Sequence, residues 1–314
     1  MKRVAVIRDP WNFWKVYKEQ LEKHSIEVET FDIFSNQDQK KLLANDWDGF
    51  FYRAGHTPTI RKLSKTFLYF FDKTLNVKTF PAWDYYWLYD DKVAQSILFE
   101  KLNIPSPKTF VFNNKDEALD FISNKTEFPL VYKASSGAGS SNVGLVKNKL
   151  QAKNYIRKAF GKGIQTHFKE DLQRGYVYFQ EYLKNNNGDY RIICISDKRI
   201  LGFFRENRPN AKFASGSGIY NYRELPIDLL EFVSKVHKKL NFPIWMSYDI
   251  MKDNNDNWVI GEVSVLNGDL DSAEVYRQSH HYLLADGKFI ESESTIDVHE
   301  FFISNLLKEW GWID

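Results

Sequence analysis

The pattern of periodic segments changes character once along this chain, near residue 90, and that change restricts the folds open to it. Before it, strand-like and helix-like runs alternate. Val4–Ile7 reads as a buried strand, Trp14–Lys23 as an amphipathic helix, Val28–Phe34 and Gly49–Tyr52 as strands, Thr59–Leu75 as a helix, and Lys78–Phe80 as a short strand. Strands separated by helices return to the same sheet edge in the same direction, so this order predicts a small parallel sheet with helices on its faces. No glycine fingerprint follows the first strand, which argues against a dinucleotide there. Ligands of such sheets sit beyond the carboxyl ends of the strands. Arg8, Arg53 and His56 are therefore placed to face a substrate, and read equally well as solvated loop residues.

Beyond residue 90 the strands come in pairs joined by short turns. Asp91 can cap a helix running to about Leu102, which Asn103-Ile104-Pro105-Ser106-Pro107 terminates. Phe110–Phe112, Pro129–Lys133, Val143–Val146 and Tyr176–Glu181 read as strands, with helices over Lys115–Ser123 and Lys149–Phe160 between them. Asp189–Ser196 and Ile200–Arg205 make a hairpin around Asp197-Lys198; Met246–Lys252 and Trp258–Val263 make another around Asp253–Asn257. Leu229–Leu240 and Val298–Leu307 complete the helices. With 314 residues the chain has room for three lobes, expected at 1–90, 91–183 and 184–314, with an α/β fold whose later lobes are α+β.

Charge excludes some partners. Lys and Arg total 43 against 41 for Asp and Glu, so nothing points to nucleic acid or to a membrane surface. Met1–Ile7 is too short an apolar run for a signal peptide, and no stretch reaches the roughly 18 apolar residues of a membrane span. The single cysteine, Cys194, lies in the apolar run Ile192–Ile195 and reads as a buried strand residue. A cytoplasmic location is expected.

Two segments carry chemistry. In Phe128–Gly144 a strand delivers Lys133 to a loop of glycines and serines that includes Ser136, Gly137, Gly139 and Ser140. Glycines let backbone N–H groups approach phosphate oxygens while the ammonium supplies positive charge. The lysine precedes the glycines, so this is not a Walker loop; alone, it reads equally well as a glycine-rich hairpin with a surface lysine. The second segment is the hairpin that sets Asp249 beside Glu262, two hard oxygen ligands suited to Mg²⁺. The flanking Ile250, Met251, Val259 and Ile260 argue that this hairpin is buried, where an unpaired acid is costly.

The order of these segments resembles the ATP-grasp superfamily over nearly the whole chain. Asp91-Lys92 with Ile104–Pro107 is similar to the passage that introduces its nucleotide-binding lobes. Lys92 and Lys133 are similar to its two phosphate-binding lysines, and Gln180-Glu181-Tyr182-Leu183 to its adenine-reading hinge. Asp189-Tyr190-Arg191 resembles the Asp-x-Arg signature of the ribosomal-protein glutamate ligase branch. The resemblance implies an ATP-grasp fold behind a parallel pre-ATP-grasp domain, with ATP and Mg²⁺ (or Mn²⁺) as cofactors. It implies Glu181, Tyr182 and Leu183 on adenine, Asp189 on ribose, Arg191 near the transferred phosphate, and Asp249 and Glu262 on the metal. The family's usual Glu-x-Asn is here Glu262-Val263-Ser264, so Ser264 or Asn267 would complete the metal set.

The implied activity is that of a carboxylate–amine ligase acting through an acyl phosphate. Arg205 and the Ala214–Gly218 loop, with Ser215 and Gly216, are candidates to steady the second step's oxyanion. The substrates implied are a small-molecule, sugar-acid or peptide carboxylate and an amine. Trp83–Tyr89 with Trp11, Trp14, Arg53 and His56 would suit a sugar, but read more readily as a packed lobe interface. A kinase that stops after γ-phosphoryl transfer, and a non-catalytic nucleotide binder, are the alternatives. Asp269, Asp271 and Glu274 could bind an amine or decorate a loop. The adjacent His280 and His281 read as surface residues that point apart.

Overall fold

The computed structural model describes residues 1–125, 127–137, 142–196, 199–207, 209, 218–242, 245–266, 272–292 and 296–314. The chain begins with β1 (Arg3–Ile7), α1 (Phe13–Lys23), β2 (Glu27–Phe31), α2 (Asn36–Leu43), β3 (Gly49–Tyr52), α3 (Pro58–Tyr69) and β4 (Lys78–Phe80). The four strands are parallel in the order β2-β1-β3-β4, as the alternation predicts. Helix α1 buries Phe13, Tyr17, Gln20 and Leu21, a stripe at helical spacing.

Two boundaries differ from expectation. The strand expected through Phe34 stops at Phe31, because the Asp38 carboxylate accepts from Asp32 N and Ser35 caps α2. Only Leu42 of α2 is buried, so the helix has no apolar stripe for periodicity to reveal. The helix expected through Leu75 is regular only to Tyr69; Phe70–Thr74 then widens into a π turn, and Phe71 stacks on Phe50 at 4.4 Å.

After the short helix α4 (Trp83–Tyr86) comes α5 (Lys92–Lys101), capped by Asp91, whose Oδ1 accepts from Ala94 N. Next follow β5 (Thr109–Phe112), α6 (Lys115–Asn124), β6 (Leu130–Lys133), β7 (Val143–Val146), α7 (Lys149–Phe160), β8 (Ile164–Gln165), β9 (Leu172–Gln173) and β10 (Val177–Glu181). They build an antiparallel sheet in the order β5-β10-β6-β7, with β8 and β9 paired apart from it.

The last stretch holds β11 (Gly188–Cys194), β12 (Arg199–Glu206), β13 (Tyr220–Asn221), α8 (Ile227–Leu240), β14 (Met246–Lys252), β15 (Trp258–Ser264), α9 (Ser272–Gln278), β16 (His280–Ala285), β17 (Lys288–Ser292) and α10 (Val298–Glu309). Its antiparallel sheet runs β15-β14-β11-β12-β16-β17, with β13 added to β12. Cys194 is buried in β11. The expectation of two surface histidines fails at His281: alternation along β16 turns its ring into the core, where Nε2 lies 2.8 Å from Tyr276 O. His280, on the other face, meets Glu291 and the Tyr222 carbonyl.

Three apolar cores result. One joins Ile7, Phe50 and Leu68 to Ile192, Val233, Tyr248 and Ile250. A second joins Val4, Phe13 and Tyr17 to Ile193, Leu201 and Trp245, and to Phe302 and Leu307 of α10. The third lies wholly within the middle stretch, among Ala118, Ile122, Leu130, Ile156, Val177 and Phe179. The aromatic segment after β4 serves the first core: Tyr86, Leu88 and Tyr89 are buried, and Tyr85 packs edge-on against Phe242.

Candidate active site

Strand register assembles a charged row on the third sheet. Asp189 pairs with Arg205 across β11 and β12, Arg191 with Asp249 across β11 and β14, and Asp249 with Glu262 across β14 and β15. Because strand side chains alternate, Asp189 and Arg191 project from the same face of β11. A bulge follows Asp249 on this hairpin. Arg205 forks onto Asp189, Nε to Oδ1 at 2.7 Å and a terminal nitrogen to Oδ2 at 2.8 Å. It also reaches Asp249 Oδ2 at 2.7 Å. Arg191 Nε lies 2.6 Å from Asp249 Oδ1. Gly188 is needed at the head of β11, since a Cβ there would stand 2.1 Å from the Arg205 carbonyl oxygen.

Asp189, Arg205 and Asp249 are each buried, so their charges depend on one another. Burial works against ionisation of Asp249, but Arg191 and Arg205 outweigh it and hold its pKa below the usual carboxylate value. Burial dominates at Asp189 and raises its pKa, with Arg205 opposing. Burial also disfavours the Arg205 charge, yet Asp249 and Asp189 overcome it and push its pKa upward.

Two lysines face these acids. Lys92 begins α5, and its buried Nζ lies 3.3 Å from Glu262 Oε1 while donating to Gly137 O at 3.1 Å. Burial disfavours its charge, but Glu262 and Asp90 more than compensate and its pKa is raised. Lys133, at the end of β6, sits over the Tyr178 ring at 5.9 Å. It keeps a narrow opening to solvent but is surrounded by protein, and this desolvation lowers its pKa to about 8 against the pull of Glu262. Glu262 and Asp249 both favour the charged forms of Lys92 and Lys133, so the four charges lie within electrostatic reach of one another.

The loop after β6 is pinned at its described ends. Ser135 N donates to Tyr176 OH at 2.7 Å, and Ser135 Oγ donates to Asp91 Oδ1 at 2.7 Å. Gly137 has a φ of 115°, open to glycine alone in practice. Gly139, Ser140, Ser215, Gly216 and Asn267 lie outside the described residues, as do Ala214, Ser217, Asp269 and Asp271. At the expected hinge, Glu181 Oε1 accepts from Lys108 N at 3.0 Å, the Tyr182 carbonyl accepts from Asn254, and Leu183 is buried. Ser264 Oγ is within 3.4 Å of both Leu266 N and Leu266 O.

The first sheet's three candidates behave differently. Arg8 pairs with Asp38 at 2.8 Å and stays half exposed. Arg53 is buried with its guanidinium against Trp11 and Phe13, 4.6 and 4.8 Å from their ring centres. His56 lies beside Tyr89 and has Nδ1 3.4 Å from Asp90 Oδ2. Sequence reasoning passed over Asp90, Arg61 and Asp171, which gather round the same loop. The only sequence signal was Asp90's place directly before Asp91-Lys92.

A cavity of about 290 Å³ bounded by Asn186, Tyr190, Phe204, Arg223 and Trp258 opens at the other face of the third sheet and shares no residue with the charged row. Within that row, Glu262 Oε1 meets Lys92 while the side chain stays about one-third exposed, and Asp249 is held ionised beside it. Among the described residues no three His, Cys, Asp or Glu side chains cluster as a metal cage. Two carboxylates beside a cleft with two amines instead fit Mg²⁺, which commonly takes one or two carboxylates and completes its shell with water and phosphate oxygens.

The chain is similar to known proteins. Residues 89–217 match the RimK-like ATP-grasp domain. The alpha-aminoadipate–LysW ligase LysX of Saccharolobus solfataricus is 27% identical over 177 residues, 56% of this chain and 61% of that protein. The chain thus spans about six tenths of the length of this curated relative. Among solved structures, the RimK domain ATP-grasp protein of Sphaerobacter thermophilus superposes with a TM-score of 0.64 at 13% identity, covering 97% of this chain and 99% of that one. D-alanine–D-alanine ligase of Bacillus anthracis gives a TM-score of 0.59 at 17% identity, covering 98% of both. The fold is that of the ATP-grasp proteins, and its N-terminal sheet is parallel.

Proposed function

We propose that this ATP-grasp chain is a ligase that activates a carboxylate as an acyl phosphate with ATP and then joins it to an amine. The observation that supports it most is the grouping of Lys92 on Glu262, Glu262 beside Asp249, and Lys133 within the field of both acids. Two amines and two acids in one desolvated site suit a triphosphate carrying a divalent cation. The relatives named above as ligases favour amide formation over phosphoryl transfer alone.

In this reading Glu262 would hold Mg²⁺ together with Asp249, which would share oxygens already paired with Arg191 and Arg205, and Ser264 or Asn267 would complete the set. When bound, the metal neutralises charge on the phosphates. Lys92 and Lys133 bind phosphate oxygens, and Glu181, Tyr182 and Leu183 line the adenine. The substrate carboxylate attacks the γ-phosphorus and ADP leaves with the bridging oxygen, while Arg191, already oriented by Asp249, offsets charge on the transferring group. An amine then adds to the acyl carbon and phosphate leaves. Arg205 is committed to Asp189 and Asp249, which fits it better to orienting the row than to donating to an oxyanion. Asp189, with both oxygens on Arg205, would meet a ribose only by sharing them. His56 lies at the ligand end of the first sheet and is proposed to face the carboxylate substrate, an amino acid or peptide, while the buried Arg53 holds Trp11 and Phe13 beneath it.

The test is an ADP-release screen of carboxylates crossed with amines, with mass spectrometry of products. A ligase releases phosphate in step with amide. ADP formed with a phosphorylated product and no free phosphate would establish the kinase instead. Nucleotide binding without turnover on any pair would mark a non-catalytic binder.

A further inference from the structure

A second network ties the first sheet to the phosphate-side lysine. Asp171 Oδ2 accepts from Arg61, on α3, at 3.1 Å and from Ser136 Oγ at 2.8 Å. The next residue, Gly137, donates its N–H to Asp90 Oδ1 at 2.7 Å, and its carbonyl takes the Lys92 ammonium. The second oxygen of Asp90 faces Arg61 Nε at 3.8 Å. Both of those atoms are buried and neither makes a hydrogen bond. Asp90 also holds a left-handed backbone, with a φ of 52°.

A buried polar atom without a hydrogen bond is costly, and so is a non-glycine residue at positive φ; the same Asp90 oxygen has His56 Nδ1 3.4 Å away. Charge-assisted N–H···O bonds settle at about 2.8 Å, so Arg61 and Asp90 need approach by only about 1 Å to bond. The contacts from Arg61 through Asp171, Ser136 and Gly137 end on Lys92. They begin on the helix that follows the His56 loop, where the carboxylate substrate is proposed to lie.

We propose that Arg61 and Asp171 are positioning residues: they seat Ser136–Gly137, and through Gly137 and Asp90 they fix the Lys92 ammonium, linking the substrate loops of the first sheet to the use of ATP. This rests on Lys92 acting as a phosphate-binding amine in the ligase reading. Neither residue touches the reacting atoms. Loss of either misplaces Lys92, and a misplacement of about 1 Å in a catalytic site lowers rate on the order of 10²-fold.

The experiment uses the full chain and the variants Arg61→Gln, Arg61→Lys, Asp171→Asn and the double Arg61→Gln/Asp171→Asn, with circular dichroism as a folding check. Two quantities are read: Mg-ADP affinity by calorimetry, and ADP formed per amide. The expected result is affinity weakened about tenfold in each glutamine or asparagine variant, partial rescue by lysine, and a double variant no worse than either single one, as for residues in one network. ADP per amide rises above one as activated carboxylate is lost to water. Mg-ADP affinity equal to wild type in both single variants overturns the proposal, as does full additivity in the double. If wild type binds Mg-ADP but forms no amide, the ligase reading falls while the affinity arm still decides the positioning role. Where a charge variant misfolds, Ser136→Ala removes the 2.8 Å bond alone and must weaken Mg-ADP in the same direction.

Discussion

Replacing Arg205 with leucine removes the one side chain that, among the described residues, bonds both Asp189 and Asp249. In the wild type Arg205 is 7% exposed and the two aspartates are 8% and 9% exposed, so water cannot take over its role. Asp249 keeps Arg191, whereas Asp189 loses both of its ion-paired bonds. Breaking a buried pair by removing one partner typically costs about 3–5 kcal/mol, most of it from the charge left behind. That loss should appear in urea unfolding followed by the fluorescence of the nine tryptophans. The pH dependence identifies its origin. An uncompensated Asp189 has a folded-state pKa raised above its unfolded value, so the variant's deficit is full at neutral pH and shrinks as pH falls through that raised pKa. Asp189→Asn added to Arg205→Leu removes the stranded charge and should recover a large part of the loss at neutral pH. A deficit under about 1 kcal/mol, or one unchanged between neutral and mildly acidic pH, would refute the view that this row is held by mutual charge compensation.

Two further outcomes follow from the site. Lys133 has a pKa lowered to about 8 by burial, so its ammonium is lost as pH rises through that value, and Mg-ADP stabilisation measured by thermal shift should fall between about pH 7 and about pH 9. Ligand at one hundred times its dissociation constant adds about 2.7 kcal/mol, most of which Lys133→Ala should remove, while Lys133→Arg should flatten the pH dependence. A pH-independent shift in wild type would remove Lys133 from the phosphate site. Ser264→Asn offers an amide oxygen in place of a hydroxyl and should lower the magnesium concentration needed for that shift by about tenfold; an unchanged magnesium titration would show that Ser264 lies outside the metal set.

Much of this was legible from the residues because strand pairing is written in local pattern. The short polar turn Asp253–Asn257 between apolar runs foretold the hairpin, and with it the pairing of Asp249 with Glu262. The Asp91 cap and the two prolines after Asn103 fixed both ends of α5. What stayed hidden depends on tertiary contact. Helix α2 has almost no buried face, so its start rests on Ser35 and Asp38 bonds that periodicity does not register. The commitment of Arg205 to Asp189 follows from the register of β11 with β12, not from spacing in either strand. Asp90, Arg61 and Asp171 are far apart in sequence or ordinary in context, and only folding brings them to Gly137.

The distribution of the three cores has a mechanical outcome. Two of them weld the opening and closing portions of the chain into one anvil, with α10 as the clamp. The third belongs to the middle sheet alone, which meets the anvil through polar contacts such as Arg61 with Asp171 and Gly137 with Asp90 as well as through its connectors. The charged row of the third sheet thus sits on the doubly cored part of the chain, and reaches the singly cored middle sheet through Glu262, Lys92 and Gly137.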